Sequence, residues 1–208
     1  RLQCGKSSIS EYDNKIPSNL TVEQILIRSG NIGSVRIGQK LEIIKLKAFL
    51  EKIGILSKIN FDIEEVGEPI PFKWGKCKLA TVSFGHGITT TPLQLAKAYA
   101  IISNGGFAVE PSLIKSELKN NQKKNRIIKA GISEKINLIL RKIVTTKEGT
   151  AGLVNIKGYE VGGKTGTAQK TIVGGYSKAK VNTFAGIFPT SKPKYVLIVL
   201  LDEPKTSS

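Results

Sequence analysis

Residues 91–106, TPLQLAKAYAIISNGG, constrain the fold more than any other stretch of this chain. Thr91 is a natural N-cap. Pro92 suits the first helical position, where a missing N–H costs nothing, and Gln94, three residues after the cap, completes a capping box. Leu93, Leu95, Ala96, Ala98, Tyr99, Ala100, Ile101 and Ile102 leave almost no polar face, and Asn104-Gly105-Gly106 stops the run. A helix that is apolar all round must be enclosed by other elements. The chain has 208 residues and 40% hydrophobic content, enough for one domain with a real core around such a helix.

The flanking segments supply the layers. Residues 1–19 are polar and turn-rich, with Gly5, Asp13-Asn14 and Pro17, and read as a loop. Thr21 and Gln24 form a second capping box, opening a short helix through Arg28 that Ser29-Gly30-Asn31 interrupts. Two further helical runs follow: one over 32–41, and one carrying Leu46, Phe49, Leu50 and Ile53, with Gly54 placed to end it. Residues 55–82, with Pro69 and Pro71, read as irregular. Residues 107–129 read as two strands around a basic tip, and Ser133 as the cap of a helix with Ile136, Ile139, Leu140 and Ile143 on one face. Beyond Lys147 the period becomes extended, giving strands near 159–169, 183–188 and 195–201, whose short connections favour antiparallel pairing of neighbours. No repeat and no linker divides the chain. The expectation is one α+β domain over 1–208.

Charge narrows the partners less than its size suggests. Thirty-two basic against 16 acidic residues give a formal net charge of +16, which favours anionic partners. The lysines are dispersed, however, and only 119–129 (KNNQKKNRIIK) is a local cluster. Aromatic residues are 6%, too few for an interleaved stacking platform, so no nucleic acid is expected as a partner. Cys4 and Cys77 form neither a metal set nor a CxxC, and leave one disulfide open in an oxidising compartment. His86, the single histidine, sits in the turn-rich Phe84-Gly85-His86-Gly87 and reads as structural; a Ser–His–Asp triad would need it as base. No stretch approaches the roughly 18 apolar residues of a spanning helix. The chain opens on Arg1, so any signal or anchor is expected upstream.

The sharpest chemical signal is Lys164-Thr165-Gly166-Thr167 after Gly162-Gly163. It sets a cation, two hydroxyls and bare backbone on one extended edge. Such an edge can hold a carboxylate and let a peptide strand pair closely. The glycine spacing of a phosphate loop is absent and no helix follows. Ser29-Gly30-Asn31 lies 164 − 29 = 135 positions upstream, at a helix end. Together they resemble the SxN and KTG motifs of the serine penicillin-recognising enzymes. VSFGHGITTTPLQLAKAYAIISNGG at 82–106, VTTKEGTAGLVNIKGYEVGGKTGTAQK at 144–170, then TFAGIFP and PKYVLIVLLDEPK continue the resemblance over nearly the whole chain. Trp74, Phe84-Gly85-His86-Gly87 and Asp202-Glu203-Pro204 are most similar to the division-type class B penicillin-binding proteins.

The resemblance implies the C-terminal part of a penicillin-binding transpeptidase domain: an antiparallel sheet with helices. It also implies a D,D-transpeptidase reaction, in which a serine attacks the D-Ala-D-Ala carbonyl of a peptidoglycan stem peptide, and which β-lactams trap covalently. Under that scheme Ser29 relays a proton to the leaving amine, and Asn31 holds the lysine of the first motif and the substrate amide. Lys164 biases Ser29 electrostatically, Thr165 and Thr167 bind the terminal carboxylate, Gly166 keeps the edge open, and the Thr167 N–H supplies half of an oxyanion hole. No cofactor or metal is implied. The expected location is the periplasmic face of the bacterial inner membrane, with division proteins as partners.

The family's first motif, SxxK, carries the nucleophile and its base ahead of SxN, yet residues 1–28 contain none. Ser112…Lys115, Ser116…Lys119, Ser177…Lys180 and Ser191…Lys194 match only formally, since each follows SxN in expected strand or loop. The SxxK helix, two strands before it and a helix after Leu201 are therefore expected to be missing. The apolar side of the helix over 92–103 and one face of the sheet would then be exposed, and this chain alone would be inactive. A binding fragment that docks a complementary N-terminal piece is the rival reading. A β-lactamase or β-lactam sensor is disfavoured by the long GITTTPLQLAKAYA region.

Overall fold

The computed structural model describes residues 1–5, 7–64, 66–115, 125–172 and 175–205. A two-stranded antiparallel hairpin, β1 (Leu2–Cys4) and β2 (Ser7–Ile9), leads to helices α1 (Val22–Ile27), α2 (Asn31–Lys52), α3 (Lys76–Ser83), α4 (Pro92–Ser103) and α5 (Ala130–Thr145). The chain closes with β3 (Gly162–Ile172), β4 (Gly175–Phe188) and β5 (Tyr195–Asp202), antiparallel in the order β3-β4-β5. The α+β class and the pairing of sequential strands stand as expected.

Local chemistry explains the helix starts. Both capping boxes are formed: Thr21 Oγ1 accepts the Gln24 N–H at 3.2 Å, and Thr91 Oγ1 accepts the Gln94 N–H at 3.1 Å. Gln94 is fully buried, and its Nε2 also donates to Ser57 O at 2.7 Å, tying the loop after α2 to the start of α4. The two helical runs expected over 32–53 appear as one helix broken at Glu42, whose φ of 64° and ψ of 168° are non-helical.

Helix α4 packs on β4, β5 and α5, and α5 packs on β3, so both helices cover one face of the sheet. Ile27, Leu140, Ile143, Val144, Ala151 and Ile187 form the cluster between α1, α5 and β4. Ala98 and Ile101 of α4 pack with Ile53, Ile55 and Ile128 on its other side. A third cluster joins Ile9 of the hairpin to Val35 of α2 and Ala80 of α3.

Five expectations are corrected. Residues 1–19 are not all loop: β1 and β2 pair in register Leu2↔Ile9, because Leu2, Cys4 and Ile9 find an apolar seat against α2 and α3. A disulfide joins Cys4 to Cys77 with Cα atoms 5.3 Å apart. Residues 55–82 are not wholly irregular, since α3 forms where Leu79, Ala80 and Val82 are buried against α2. The strands expected over 107–129 reduce, among the described residues, to the single bridge Phe107↔Arg126; the tip at 116–124 lies outside the described residues, as does Ser116…Lys119.

Ser133 does not cap α5, which starts earlier with Lys129 at the cap position. Its hydroxyl instead donates to Ile102 O and accepts the Gly105 N–H at 3.0 Å, while Asn137 Nδ2 donates to Ser103 O at 3.0 Å. Two polar side chains of α5 thus serve the unpaired backbone at the end of α4. Finally, α4 does not present an exposed apolar side: Ala98 and Ile101 are buried against the Ile53–Ile55 segment, and Leu93, Leu95, Ala96, Tyr99, Ala100 and Ile102 are half-buried. Exposed apolar surface lies on β5, where Tyr195, Leu197, Val199 and Leu201 point away from the helices at 59, 48, 42 and 54% exposure.

Candidate active site

Helices α1 and α2 meet at the turn Arg28-Ser29-Gly30. Ser29 has φ of 56°, a left-handed conformation uncommon for a residue with a Cβ. The Gly30 N–H closes the turn on Ile25 O at 2.9 Å, and the Ser29 N–H reaches Leu26 O at 3.3 Å. Asn31 is the first residue of α2.

Lys164 approaches from β3, the outer strand of the sheet, at the position opposite Ala185. The preceding glycines let this strand lie close to α5. A Cβ on Gly162 would come within 3.0 Å of the α5 backbone at Leu140 and Arg141, and one on Gly163 within 2.6 Å of Ala185 O. Lys164 Nζ donates to Ser29 Oγ at 2.7 Å and to Thr165 O at 2.8 Å. Burial pushes its pKa down from 10.5 to about 8, because desolvation disfavours the ammonium. An amine poised between charge states beside a hydroxyl can supply or take up a proton near neutral pH.

Next on the strand, Thr165 Oγ1 lies 2.7 Å from Thr150 Oγ1. Gly166 and Thr167 are exposed, and a Cβ on Gly166 would meet nothing within 4 Å. Among the described residues the free edge of β3 is thus open to an incoming extended peptide beside a hydroxyl pair and a cation, suited to a strand that ends in a carboxylate.

Ser29 and Lys164 are therefore brought together, with Thr165, Gly166 and Thr167 continuing along the same edge. Asn31 is engaged elsewhere: its Nδ2 donates to Ser10 O at 3.0 Å. The three described formal SxxK matches open no helix. Ser112 Oγ bonds to Asp62 at 2.8 Å, Ser177 Oγ accepts the Ala179 N–H at 3.0 Å, and Ser191 Oγ bonds to Glu160. His86 follows α3, with its ring 4.9 Å from that of Phe84 and its N–H on Thr81 O. Sequence reasoning missed Thr150 and the segment Ser10-Glu11-Tyr12, whose contacts with the Ser29 turn are made largely through backbone atoms and follow no motif.

The sequence and the overall fold resemble those of known proteins. The chain is 30% identical over 210 residues to a probable peptidoglycan D,D-transpeptidase FtsI of Caulobacter vibrioides, covering 97% of this chain and 36% of that protein. The apo transpeptidase domain of Burkholderia pseudomallei penicillin-binding protein 3 superposes with TM-score 0.83 at 27% identity, over 89% of this chain and 57% of that one. Penicillin-binding protein 3 of Mycobacterium tuberculosis, solved with aztreonam, matches with TM-score 0.79 at 26% identity, over 89% and 46%. The chain spans little more than a third of the curated relative's length. The profile of the penicillin-binding protein transpeptidase domain matches residues 2–208, and the chain belongs to that family.

Proposed function

We propose that this chain carries the SxN and KTG side of a peptidoglycan D,D-transpeptidase site, and that β-lactams occupy it as substrate mimics. The observation that carries the reading is the 2.7 Å bond from Lys164 Nζ to Ser29 Oγ, which joins two motifs 135 residues apart. In the reaction, the nucleophilic serine of an SxxK segment attacks the penultimate D-Ala carbonyl. The proton it gives up passes through the Ser29 hydroxyl to the departing D-Ala amine, and Lys164 sets the charge beside Ser29. Thr165 and Thr167 hold the terminal carboxylate, Gly166 admits the strand, and the Thr167 N–H faces the developing oxyanion. Asn31 turns from Ser10 toward the substrate amide and the first-motif lysine when these are present. That the mycobacterial relative forms a complex with aztreonam supports a β-lactam as a ligand of this chain.

The chemistry belongs at the outer face of the bacterial membrane, among division proteins. No helix of the described residues is long and apolar enough to cross a membrane. A second reading is a fragment that acts by docking a complementary SxxK-bearing piece, and it is supported by the exposed apolar side chains Tyr195, Leu197, Val199 and Leu201 on β5. Fluorescent penicillin tests both. The 208-residue chain alone forms no covalent adduct, because on this reading Ser29 is the proton relay and the attacking hydroxyl is that of the SxxK serine. With an SxxK-bearing segment supplied, label appears on that segment, and Ser29→Ala or Lys164→Ala lowers the rate by roughly two to four orders of magnitude. A penicilloyl group mapped by intact mass and peptide analysis to one of this chain's own serines would overturn the assignment.

A further inference from the structure

We propose that Glu11 is a positioning residue for this site: its carboxylate clamps the first two N–H groups of α2 and so fixes the Ser29 turn against Lys164. This rests on the reading of Ser29 and Lys164 as the transpeptidase relay. Helix α2 begins at Asn31 with Gly30 at the cap position, and glycine has no side chain to satisfy the free N–H groups of the first turn. The cap comes instead from 20 residues upstream. Glu11 Oε2 accepts the Asn31 N–H at 2.6 Å and Oε1 accepts the Ile32 N–H at 3.0 Å. A carboxylate is the favoured group there, since it meets both the exposed N–H groups and the positive end of the helix dipole.

Its neighbours grip both sides of the same turn. Ser10 O accepts from Asn31 Nδ2 at 3.0 Å, and Tyr12 OH donates to Arg28 O at 2.9 Å. Three consecutive residues thus bracket Ser29, whose left-handed φ of 56° needs outside support. The strap is itself anchored. Ile9, just before it, packs on Val35 and Ala80, and the hairpin that carries it is bonded through Cys4 to Cys77 of α3. The clamp therefore cannot drift without moving α2 and α3.

A residue that merely stabilised α2 would leave the environment of Lys164 unchanged once the chain is folded. The test is the titration midpoint of the Lys164 side chain, read by carbon- and nitrogen-detected NMR on the 208-residue protein. Its resonances are assigned by comparison with Lys164→Arg. In the parent chain the midpoint is about 8, set by burial. In Glu11→Ala the Ser29 turn loosens, water reaches the amine, and the midpoint rises by about one pH unit or more. Loss of an anion alone would lower it, so a rise reports rehydration. Glu11→Gln, which keeps the shape and one acceptor oxygen, gives a smaller rise.

A folded Glu11→Ala with an unmoved midpoint overturns the proposal. If Glu11→Ala does not fold, Glu11→Gln and Tyr12→Phe each remove part of the grip, and an unmoved midpoint in both overturns it equally. Failure of the transpeptidase reading appears in penicillin labelling and leaves this titration as it is. Failure of the clamp appears here and leaves the labelling untouched.

Discussion

Replacing Lys164 by methionine tests the desolvation argument directly. The lysine is held at about 8 against an ordinary 10.5, and burial is the cause. Between those values the unfolded chain binds a proton that the native chain has released. Stability therefore rises with pH across that window: the penalty for a buried ammonium is fully present below pH 8 and gone above 10.5. The gap corresponds to about 3 kcal/mol, an upper figure because the side chain keeps some exposure to water. Lys164→Met has no such penalty, while every other lysine and tyrosine titrates in both proteins and cancels in their difference. Urea unfolding of the pair at several values from pH 7 to 10.5 should give a stability difference, parent minus variant, that climbs by about 2–3 kcal/mol. A difference that stays flat across that range would refute the burial of this amine. The same value makes about a quarter of the amine neutral at pH 7.5, the range in which a group beside Ser29 is useful for moving protons.

Two further outcomes follow from the frame around the site. Cys4→Ser with Cys77→Ser opens a bridge between residues 73 positions apart, which the loop-entropy account values at about 4 kcal/mol; equilibrium urea unfolding of oxidised parent and double variant measures it, and a loss under about 1 kcal/mol would mean the unfolded chain is already constrained. Ser133→Ala leaves Ile102 O and the Gly105 N–H without the hydroxyl that now serves both, so thermal or urea unfolding should record a loss of about 1–3 kcal/mol, and a neutral result would show that water replaces it.

Where local chemistry decides an element, the sequence was sufficient to find it. Thr21/Gln24 and Thr91/Gln94 specify their helix starts through bonds made within four residues, and both are formed. The last strand was legible for a similar reason, since Val196, Ile198 and their neighbours form a continuous apolar run between turn residues, whereas β4 begins at Gly175, eight residues before the expected 183, in a stretch with no such run. The hairpin and α3 were not. Each is short, and each depends on an apolar seat provided by the other and by α2, through Ile9, Val35 and Ala80. The role of Ser133 was misread because a hydroxyl near a helix start is a cap by local rules, whereas here the end of α4, about 30 residues away, competes for it and wins. The exposure expected on α4 fell on β5 because the 53–55 segment and α5 close around the helix, while no described element covers the outer face of β5.

The site divides along the same line. Its reacting groups were legible because SxN and KTG are runs of chemically distinctive side chains. Their meeting is a property of the core. Ile27, two residues before Ser29, packs in one cluster with Leu140 and Ile143 of α5 and with Ile187 of β4. Ile187 pairs with Gly162, two residues before Lys164, and α5 lies on β3. One buried cluster thus sets the heights of both motifs, and the 2.7 Å bond between Nζ and Oγ closes a frame already fixed on two sides. The third side is Ser10-Glu11-Tyr12, where the Glu11 carboxylate, the Tyr12 hydroxyl and the Asn31 amide each meet a backbone partner. Backbone partners leave no pattern in a sequence, which is why the groups that carry the chemistry could be read while those that aim them could not.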